Sequence, residues 1–233
     1  MVSLATTTGA RGGTAARQIV LATRSAGKLR ELGPLLATHG WDAITLDALG
    51  VVESADEEGL EQYGRFEENA LAKARYFATL TGRLVLADDS GLAVEALGGR
   101  PGVHSKRWSG SALQGAALDA FNNAYLQERL CEAEAAGHSS RAAAYECAAA
   151  CAWPEGAVVA HGCTTGQVLS APRGTGGFGY DPYFWSEELQ ATFAEVTRDA
   201  KAAVSHRGRA VRAVLAELSS FFPLPVDPTP RRG

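Results

Sequence analysis

The sequence contains few cysteines, no long hydrophobic run and no excess of positive charge. Its four cysteines form no CxxC pair, which excludes the usual spacing of a zinc site or a dithiol redox site. The lack of any run of about 18 apolar residues excludes a membrane-spanning helix, so no membrane partner is expected. Lysine and arginine total 22 against 26 aspartate and glutamate residues. Without a broadly basic surface, we expect no nucleic-acid partner.

The remaining composition is that of an ordinary folded protein. Hydrophobic residues make up 46% and charged residues 21% of the 233 positions, values that exclude wholesale disorder. This length corresponds to one large or two-lobed domain, which buries enough surface to fold without disulfides or a structural metal. The first residues lack the apolar segment of a signal peptide, so we expect a cytoplasmic location.

The two ends of the chain differ in composition from the rest. Residues 1–17 contain arginine and threonine but no apolar cluster, and residues 223–233 contain four prolines. We therefore predict a disordered N-terminal extension at 1–17, one folding unit at 18–222 and an extended, proline-rich tail at 223–233.

Between the ends, short apolar runs alternate with helical patterns. Continuous apolar runs at 19–22 and 84–87 are typical of strands buried on both faces. After the first run, leucines recur at helical spacing, and Pro34 favours a kink or an early end of that helix. The alternation predicts an α/β protein with a mixed sheet flanked by helices. The other predicted elements are helices at 67–81, 111–136 and 199–218 and a hairpin of strands at 141–153 and 157–161.

The first apolar run leads into a polar loop with the sequence TRSAGK at 23–28. Gly27 lets backbone amides approach an anion, and Lys28 adds a positive charge at the start of the following helix. A helix start capped by Ser25 explains the same residues, so spacing leaves both interpretations open. The loop is not a Walker A loop, because Ala22 and Leu29 stand where that motif requires glycine and a hydroxyl residue.

The second apolar run ends abruptly at two adjacent carboxylates, Asp88 and Asp89. Successive strand residues point to opposite faces, so we expect one carboxylate to hold the loop and the other to face a ligand. Carboxylate oxygens suit Mg²⁺, which commonly takes one or two of them together with phosphates and water. The acidic cluster at 56–58 can supply a further carboxylate. Capping by the two aspartates and a solvated turn at 56–58 are the alternatives.

A glycine-rich stretch at 174–179, GTGGFG, matches the dinucleotide-binding pattern GxGxxG. That pattern requires a buried strand before it and a helix after it, and neither is predicted here. We instead expect a loop that presents Phe178 and Tyr180, next to Asp181, as a platform for a planar ring. A tight turn with buried aromatic side chains is the alternative.

A group of hydrogen-bond donors lies in the last predicted helix, at Lys201, Ser205, His206 and Arg207. Such donors suit the keto oxygens of a base or the oxygens of a phosphate. A solvated helix face is the alternative.

Together these stretches resemble the inosine triphosphate pyrophosphatase family. The similarity extends from the first apolar run to the last predicted helix, with the motifs in the family's order. The matching motifs are LATRSAGKLREL (21–32), ENALAKAR (68–75), ADDSGLAVEALGGRPGVHSKRWSG (87–110), GTGGFGYDPYF (174–184) and SHRGRA (205–210).

The resemblance implies a fold, an activity and a cofactor. The fold is a two-lobed single domain around a long, curved mixed sheet, in a chain that forms a homodimer. The activity is Mg²⁺-dependent hydrolysis of the α–β phosphoanhydride of ITP, dITP and XTP. This reaction yields the nucleoside monophosphate and pyrophosphate, and it cleanses the nucleotide pool of deaminated purines.

The resemblance also implies roles for individual residues. Asp89 is expected to be the catalytic residue and a metal ligand, with Glu57 as the second metal ligand. The expected substrate-binding residues are Thr23, Arg24, Ser25, Ala26, Gly27, Lys28, Ser90, Phe178, Gly179, Tyr180, Asp181, Lys201, His206 and Arg207.

Two features depart from the family pattern. The family usually has asparagine where Ser25 stands, and serine loses the reach of the amide, which predicts a higher KM. The segment between Glu57 and Asn69 is also a few residues longer than usual. Two other functions remain as alternatives: a pyrophosphatase with a different base preference, and a non-catalytic nucleotide-binding regulator. The presence of Lys28, Asp88 and Asp89 argues against the regulator.

Overall fold

The computed structural model describes residues 17–222. The predicted tail at 223–233 and all but the last residue of the predicted extension at 1–17 lie outside the described residues. Arg17 itself begins the first strand, so regular structure starts one residue earlier than expected. Within the described part of the chain, no helix is long and apolar enough to cross a membrane.

Seven strands form one mixed sheet at the centre of the protein. The strands are β1 (Arg17–Leu21), β2 (Trp41–Thr45), β3 (Val85–Val94), β4 (Ala142–Trp153), β5 (Gly156–Val168), β6 (Phe184–Ser186) and β7 (Ala191–Thr192). Their order in the sheet is β2-β1-β3-β4-β5-β6-β7. β1 is parallel to β2 and β3, and the remaining neighbours are antiparallel.

Helices cover both faces of this sheet. They are α1 (Ala26–Thr38), α2 (Phe66–Thr81), α3 (Gly115–Ala135), α4 (Arg198–Val204) and α5 (His206–Phe221). Two 3₁₀ helices also contribute to the site described below. We call them the acidic 3₁₀ helix (Ala55–Glu61) and the basic 3₁₀ helix (Gly102–Arg107).

The hydrophobic core has two parts along the length of the sheet. Near β1, Leu21 packs with α1 and α5 on one face, and Val20 packs with α2 on the other. At the far end, Leu92 packs with α3 and β6. β3 and β4 run through both parts, so the polar middle of β3 lies between them. The predicted α/β fold, a single domain with a mixed sheet flanked by helices, is confirmed.

The strand β3 is longer than the sequence predicts, because it does not end at Asp88. It continues to Val94, and β4 pairs with it along the whole length, from Val85 opposite Ala152 to Val94 opposite Ala143. Aspartate, serine and glycine are disfavoured in strands. Here continuous pairing with β4 and the cations described below keep them in a central strand.

Three other boundaries differ from the prediction. The expected helix at 199–218 is two helices, because Ser205 ends α4 and caps α5, its Oγ accepting from Gly208 N at 3.1 Å. α1 continues through Pro34 without an early end. The second strand of the hairpin extends to Val168 rather than to residue 161.

Candidate active site

The polar loop after β1 leads directly into α1. Ser25 is the N-cap residue of α1, and its Oγ accepts a hydrogen bond from the backbone N–H of Lys28 at 3.4 Å. The backbone N–H of Ser25 in turn donates to Thr23 Oγ1 at 3.1 Å. The helix-capping interpretation is therefore confirmed, and the contact of this loop, including Ala26, with a substrate anion stays a prediction.

Arg24 turns away from the loop toward the acidic 3₁₀ helix. Its Nε and Nη2 donate to the two carboxylate oxygens of Glu57 at 3.1 and 2.8 Å, and Nη2 also donates to the carbonyl of Val51 at 3.2 Å. The cluster at 56–58 thus lies in a 3₁₀ helix rather than a turn, with Asp56 and Glu58 exposed and Glu57 half-buried. Glu57, the expected second metal ligand, has its carboxylate engaged by Arg24.

Asp88 is a buried anion that holds two cations of the site. Lys28 Nζ lies 3.1 Å from Asp88 Oδ2 and donates to its backbone carbonyl, while Arg207 Nε donates to Oδ2 at 2.9 Å. Burial alone raises the pKa of this carboxyl, but the positive charges of Lys28 and Arg207 outweigh it and hold the pKa well below its usual range. Asp88 Oδ1 is buried without a hydrogen-bond partner in the structure.

Asp89 points to the opposite face of β3, as the alternation of strand side chains predicts. Asn69 Nδ2 donates to its Oδ2 at 2.8 Å, and the backbone N–H of Ser90 donates to its Oδ1 at 3.0 Å. Burial raises the pKa of Asp89 above its ordinary value, and the negative charge of Glu61 adds to this. Lys28, Lys73 and the hydrogen bond from Asn69 act in the other direction.

Lys28 therefore acts electrostatically on both aspartates, although it contacts only Asp88. The side chain of Ser90 lies on the Asp88 side, where its Oγ accepts from Arg207 Nη2 at 2.7 Å. The prediction that the two aspartates point to opposite faces of the strand is confirmed, and the expectation that one of them faces a ligand stays a prediction. Lys28 of the first loop and Arg207 both contact Asp88, and Asp89 lies next to it on the other face of β3. We refer to the region around these residues as the cleft.

Phe178 lies against the first loop, on the side of the cleft that carries Lys201 and Arg207. Its ring packs on Gly27 so closely that a Cβ atom added there would lie 2.7 Å from the ring. Lys201 Nζ and Arg207 Cζ lie 5.0 and 5.6 Å from the ring centroid. An aromatic face next to two cationic donors is a surface that can stack on a planar ring and hydrogen-bond its edge.

Tyr180 does not share this position, and the expectation that it presents its ring as part of the platform is wrong. It is buried, and its hydroxyl donates to the carbonyl of Ser105 at 2.8 Å. Asp181, also buried, accepts from the backbone N–H of Phe178 at 2.8 Å and from Lys201 Nζ. These two residues thus hold the loop in shape and position Phe178 and Lys201.

Gly179 joins the same loop to α3. Its N–H donates to Asp119 Oδ2 at 2.8 Å, and its carbonyl accepts from Asn123 Nδ2 at 2.9 Å. No helix follows the loop directly, since the next one is α4. The rejection of a dinucleotide-binding fingerprint at 174–179 is confirmed.

Glu31 is a member of the site that the sequence analysis missed. Its carboxylate bridges the two cations beside Phe178, with Oε1 2.7 Å from Lys201 Nζ and Oε2 paired with Arg207 Nη1. Burial raises the pKa of Glu31, but the charges of Arg207 and Lys201 outweigh it and lower the pKa below the ordinary value. The only available signal was the spacing from Lys28, which puts both residues on one face of α1.

His206 lies deeper than a substrate-facing donor. Its ring stacks on Tyr145, with centroids 4.5 Å apart and planes 6° from parallel. Burial, together with the positive charges of Arg207 and Lys201, holds the pKa of His206 well below its ordinary value, so the imidazole is neutral at pH 7. His206 Nδ1 is buried without a partner in the structure.

The carboxylates of the cleft do not form a ready-made metal cage. Among residues 17–222, no group of three or more His, Cys, Asp or Glu side chains is arranged to hold a metal ion. Mg²⁺ does not need such a cage, because it commonly binds one or two carboxylates and completes its shell with phosphates and water. The hard oxygens of Asp89 fit that mode of binding.

Fold and site together define a class of protein: an α/β protein whose cleft combines buried carboxylates, lysine and arginine cations and one aromatic face. The sequence model of the Ham1 family matches residues 19–217, and the chain belongs to this family. This confirms the family that the sequence motifs indicate.

Relatives and solved structures agree with this assignment. The dITP/XTP pyrophosphatase of Geobacter sulfurreducens is 46% identical over 196 residues, which cover 83% of this chain and 92% of that protein. The protein of the same name from Thermus thermophilus is 46% identical over 199 residues, covering 85% and 90%. The structure of a HAM1 protein from Coxiella burnetii is similar with a TM-score of 0.73 and 36% identity, over 88% of this chain and 99% of that one.

Proposed function

We propose that this protein is a nucleoside triphosphate pyrophosphatase. Its substrates are ITP, dITP and XTP, which it hydrolyses to the nucleoside monophosphate and pyrophosphate, removing deaminated purines from the nucleotide pool. One observation carries the proposal. Arg207 pairs with Asp88, donates to Ser90 and has its Cζ 5.6 Å from the centroid of the Phe178 ring, so the acidic middle of β3 and the aromatic face meet at one guanidinium. Relatives named dITP/XTP pyrophosphatases support it.

The triphosphate binds between the first loop and the middle of β3. Lys28 neutralises phosphate charge, and the N-terminus of α1 adds the partial positive charge of its free backbone amides. Lys73 acts electrostatically on both aspartates from the other side.

Asp89 is the catalytic residue in this proposal. Its carboxylate orients a water molecule and accepts a proton as the water oxygen bonds to the α-phosphorus, while the bond from that phosphorus to the bridging oxygen breaks. The raised pKa of Asp89 makes the carboxylate a better proton acceptor than an exposed aspartate. Lys28 stabilises the negative charge that develops on the departing pyrophosphate.

Mg²⁺ is the proposed cofactor, and Asp89 would hold it. When bound, the ion supplies Lewis-acid polarisation of the phosphate oxygens. Glu57 stays the proposed second ligand by family resemblance, and both of its carboxylate oxygens accept hydrogen bonds from Arg24 in the structure. The residues therefore fit the weak, carboxylate-plus-phosphate mode of Mg²⁺ binding.

The base is selected by the polarity of its hydrogen bonds. Phe178 stacks on any base, so it gives no selectivity by itself. Arg207 and Lys201 are donors only, which suits the 6-keto oxygen of hypoxanthine or xanthine. Adenine carries an amino group at that position, so its N–H donors would face the donors of Arg207 and Lys201 and stay unpaired. We therefore expect the site to favour ITP over ATP by about 10⁴-fold.

The assay that tests this function measures pyrophosphate release from ITP with and without Mg²⁺, beside XTP, dTTP, GTP and ATP at equal concentration. We expect release from ITP and XTP only with Mg²⁺, and far slower release from ATP. Hydrolysis in ¹⁸O-labelled water should place the label in the monophosphate. Preference for dTTP would favour a pyrophosphatase of another base class, and nucleotide binding without release would favour the non-catalytic regulator.

We further propose a homodimer and a cytoplasmic location. The family resemblance supports the dimer. Four free cysteines, two of them exposed, suit a reducing compartment. Light scattering of the purified protein tests the dimer, and a mass of one chain contradicts it.

A further inference from the structure

Glu61, in the segment that is longer than usual, points its carboxylate at a cation of the proposed site. It is the last residue of the acidic 3₁₀ helix, and its Oε1 forms an ion pair with Lys73 Nζ. Within the described residues, this carboxylate is the only hydrogen-bond partner of the Lys73 ammonium. The Lys73 side chain is about nine-tenths buried, while that of Glu61 is one-third exposed. The carboxylate therefore covers Lys73 from the solvent side.

The charges around Glu61 are those that the proposed triphosphate uses. Burial raises the pKa of Glu61, but Lys73, Lys28 and Lys106 outweigh it and lower the pKa below its ordinary value. The negative charge of Glu61 also acts on Asp89. The Glu61 carboxylate thus lies among the lysine side chains that would also attract a phosphate group of the substrate.

A second contact ties Glu61 across to the basic 3₁₀ helix. Arg107 Nη2 donates to the carbonyl of Glu61 at 2.9 Å, and its Nη1 lies 3.9 Å from Glu61 Oε2. The backbone contact holds the end of the acidic 3₁₀ helix in place independently of the carboxylate. The side chain can therefore leave Lys73 without release of the helix.

We propose that Glu61 is an internal counter-anion, which occupies Lys73 until a substrate phosphate displaces it and thereby sets the affinity of the site for polyphosphate. The proposal rests on the proposed function of the cleft. An ammonium group has three N–H donors, so a phosphate oxygen can replace the carboxylate on Lys73 without loss of hydrogen bonds. The displaced Glu61 then turns to solvent, where its charge is hydrated.

The alternative roles of Glu61 make opposite predictions. If the carboxylate only clamps the acidic 3₁₀ helix, its removal loosens the site and weakens anion binding. If the site needs the negative charge of Glu61 for a cation, its removal weakens cation binding and leaves metal-free anion binding unchanged. A competing anion on Lys73 instead strengthens polyphosphate binding when its charge is removed, and the gain depends on Lys73.

The experiment compares the wild type with Glu61→Gln by calorimetric titration of inorganic tripolyphosphate in metal-free buffer. We expect the variant to bind tripolyphosphate about fivefold more tightly, the order of effect of one partly screened ion pair. The advantage should shrink as KCl is added, because salt screens the competing charge. Equal or weaker binding by Glu61→Gln overturns the proposal.

Two further variants keep this result interpretable. Glu58→Gln removes the same charge from an exposed residue of the same 3₁₀ helix and should change the affinity by less than twofold. Glu61→Gln combined with Lys73→Gln should lose the gain, since no ammonium remains to be freed. A gain that persists in the double variant overturns the assignment to Lys73.

Steady-state kinetics separate this proposal from the proposed function. With ITP and Mg²⁺, Glu61→Gln should lower KM by a similar factor. If the wild type releases no pyrophosphate from ITP, the proposed function fails, while the tripolyphosphate titration still reports on Glu61. If turnover is present and the titration shows no gain, the counter-anion proposal alone fails.

Discussion

Arg207 and Asp88 form a buried ion pair in the middle of the cleft, with Nε 2.9 Å from Oδ2 across 119 positions of sequence. The pair joins β3 to the first turn of α5. The same guanidinium also contacts Glu31 and Ser90. One side chain therefore connects the phosphate side of the proposed site with the base side.

Replacement of Arg207 by lysine should reduce base selectivity. Lysine keeps the positive charge beside Asp88 but lacks the planar fork that reaches Glu31 and Ser90 together. We expect the ratio of kcat/KM for ITP to that for ATP to fall roughly tenfold or more. Arg207→Ala should lower this ratio too. It also leaves Asp88 buried with one cation fewer, which should lower the free energy of unfolding by about 3–5 kcal/mol.

The control for this measurement is Arg209→Lys, on the same helix. Arg209 is half-buried and pairs with Glu188, with no contact to Asp88, Ser90 or Glu31, so its substitution should leave the ratio unchanged. An unchanged ratio in Arg207→Lys would mean that the base is selected by other residues.

Asp88 and Asp89 should respond differently to replacement by asparagine. Asp89→Asn removes the proposed proton acceptor, so kcat should fall at least about a hundredfold. Its melting temperature should stay within a few degrees of the wild type, because burial already disfavours the charge of Asp89. Asp88→Asn instead leaves Lys28 and Arg207 without their shared anion and should lower stability by about 3–5 kcal/mol.

Calorimetry and single-turnover kinetics on the two variants check this contrast. Near-wild-type turnover by Asp89→Asn contradicts the catalytic assignment. Equal stability losses in both variants contradict the division of roles between the two faces of β3.

The close contact between Gly27 and Phe178 gives a test of the stacking surface. In Gly27→Ala the new methyl group lies 2.7 Å from the ring, so Phe178 must move away from the loop. Because the proposed function has the base stack on this ring, KM for ITP should rise roughly tenfold, equivalent to the loss of one aromatic stacking contact, while kcat changes less.

Gly33→Ala is the matched control on the same helix. Apart from its two chain neighbours and the backbone of its own helix, a Cβ at Gly33 meets no atom within 4 Å, so KM should stay unchanged. A Gly27→Ala variant with wild-type KM would show that Phe178 does not form the base surface.

The sequence predicts those parts of the site that depend on local periodicity. The opposite directions of Asp88 and Asp89 follow from the alternation of side chains along a strand. The cap at Ser25 follows from the known preference for serine at helix starts. Both predictions depend only on neighbouring residues, and both agree with the structure.

The remaining parts depend on contacts between distant segments. Glu31 is recognisable as a bridge only when α1, α4 and α5 are packed together, because its partners Lys201 and Arg207 come from the other end of the chain. Tyr180 is two residues from Phe178 in the same loop, yet the Phe178 ring lies beside Lys201 and the Tyr180 ring is buried, with its hydroxyl donating to Ser105. Residue preferences predict that β3 ends at Asp88. In the structure, pairing with β4 and contacts with cations from distant segments keep the strand extended beyond that residue.

The buried, neutral imidazole of His206 predicts a loss of stability as the pH falls below neutrality. Its folded-state pKa lies well below the ordinary value of 6.5, so below that pH the unfolded chain takes up a proton that the folded chain does not. The free energy of unfolding therefore decreases as the pH falls from 7 to 5.5, with a limiting slope of about 1.4 kcal/mol per pH unit. Asp89 and Asp181, whose pKa values burial raises, act in the opposite sense.

The contribution of His206 is isolated by comparing variants rather than by the wild-type slope alone. His206→Phe keeps a flat ring against Tyr145 but has no titrating group. Its free energy of unfolding should therefore depend less on pH between 7 and 5.5, because unfolding takes up as much as one proton fewer. His161→Gln, at an exposed position on β5, should keep the wild-type slope. Urea unfolding at closely spaced pH values measures all three proteins. Parallel curves for the wild type and His206→Phe would show that His206 takes up its proton in the folded state as well.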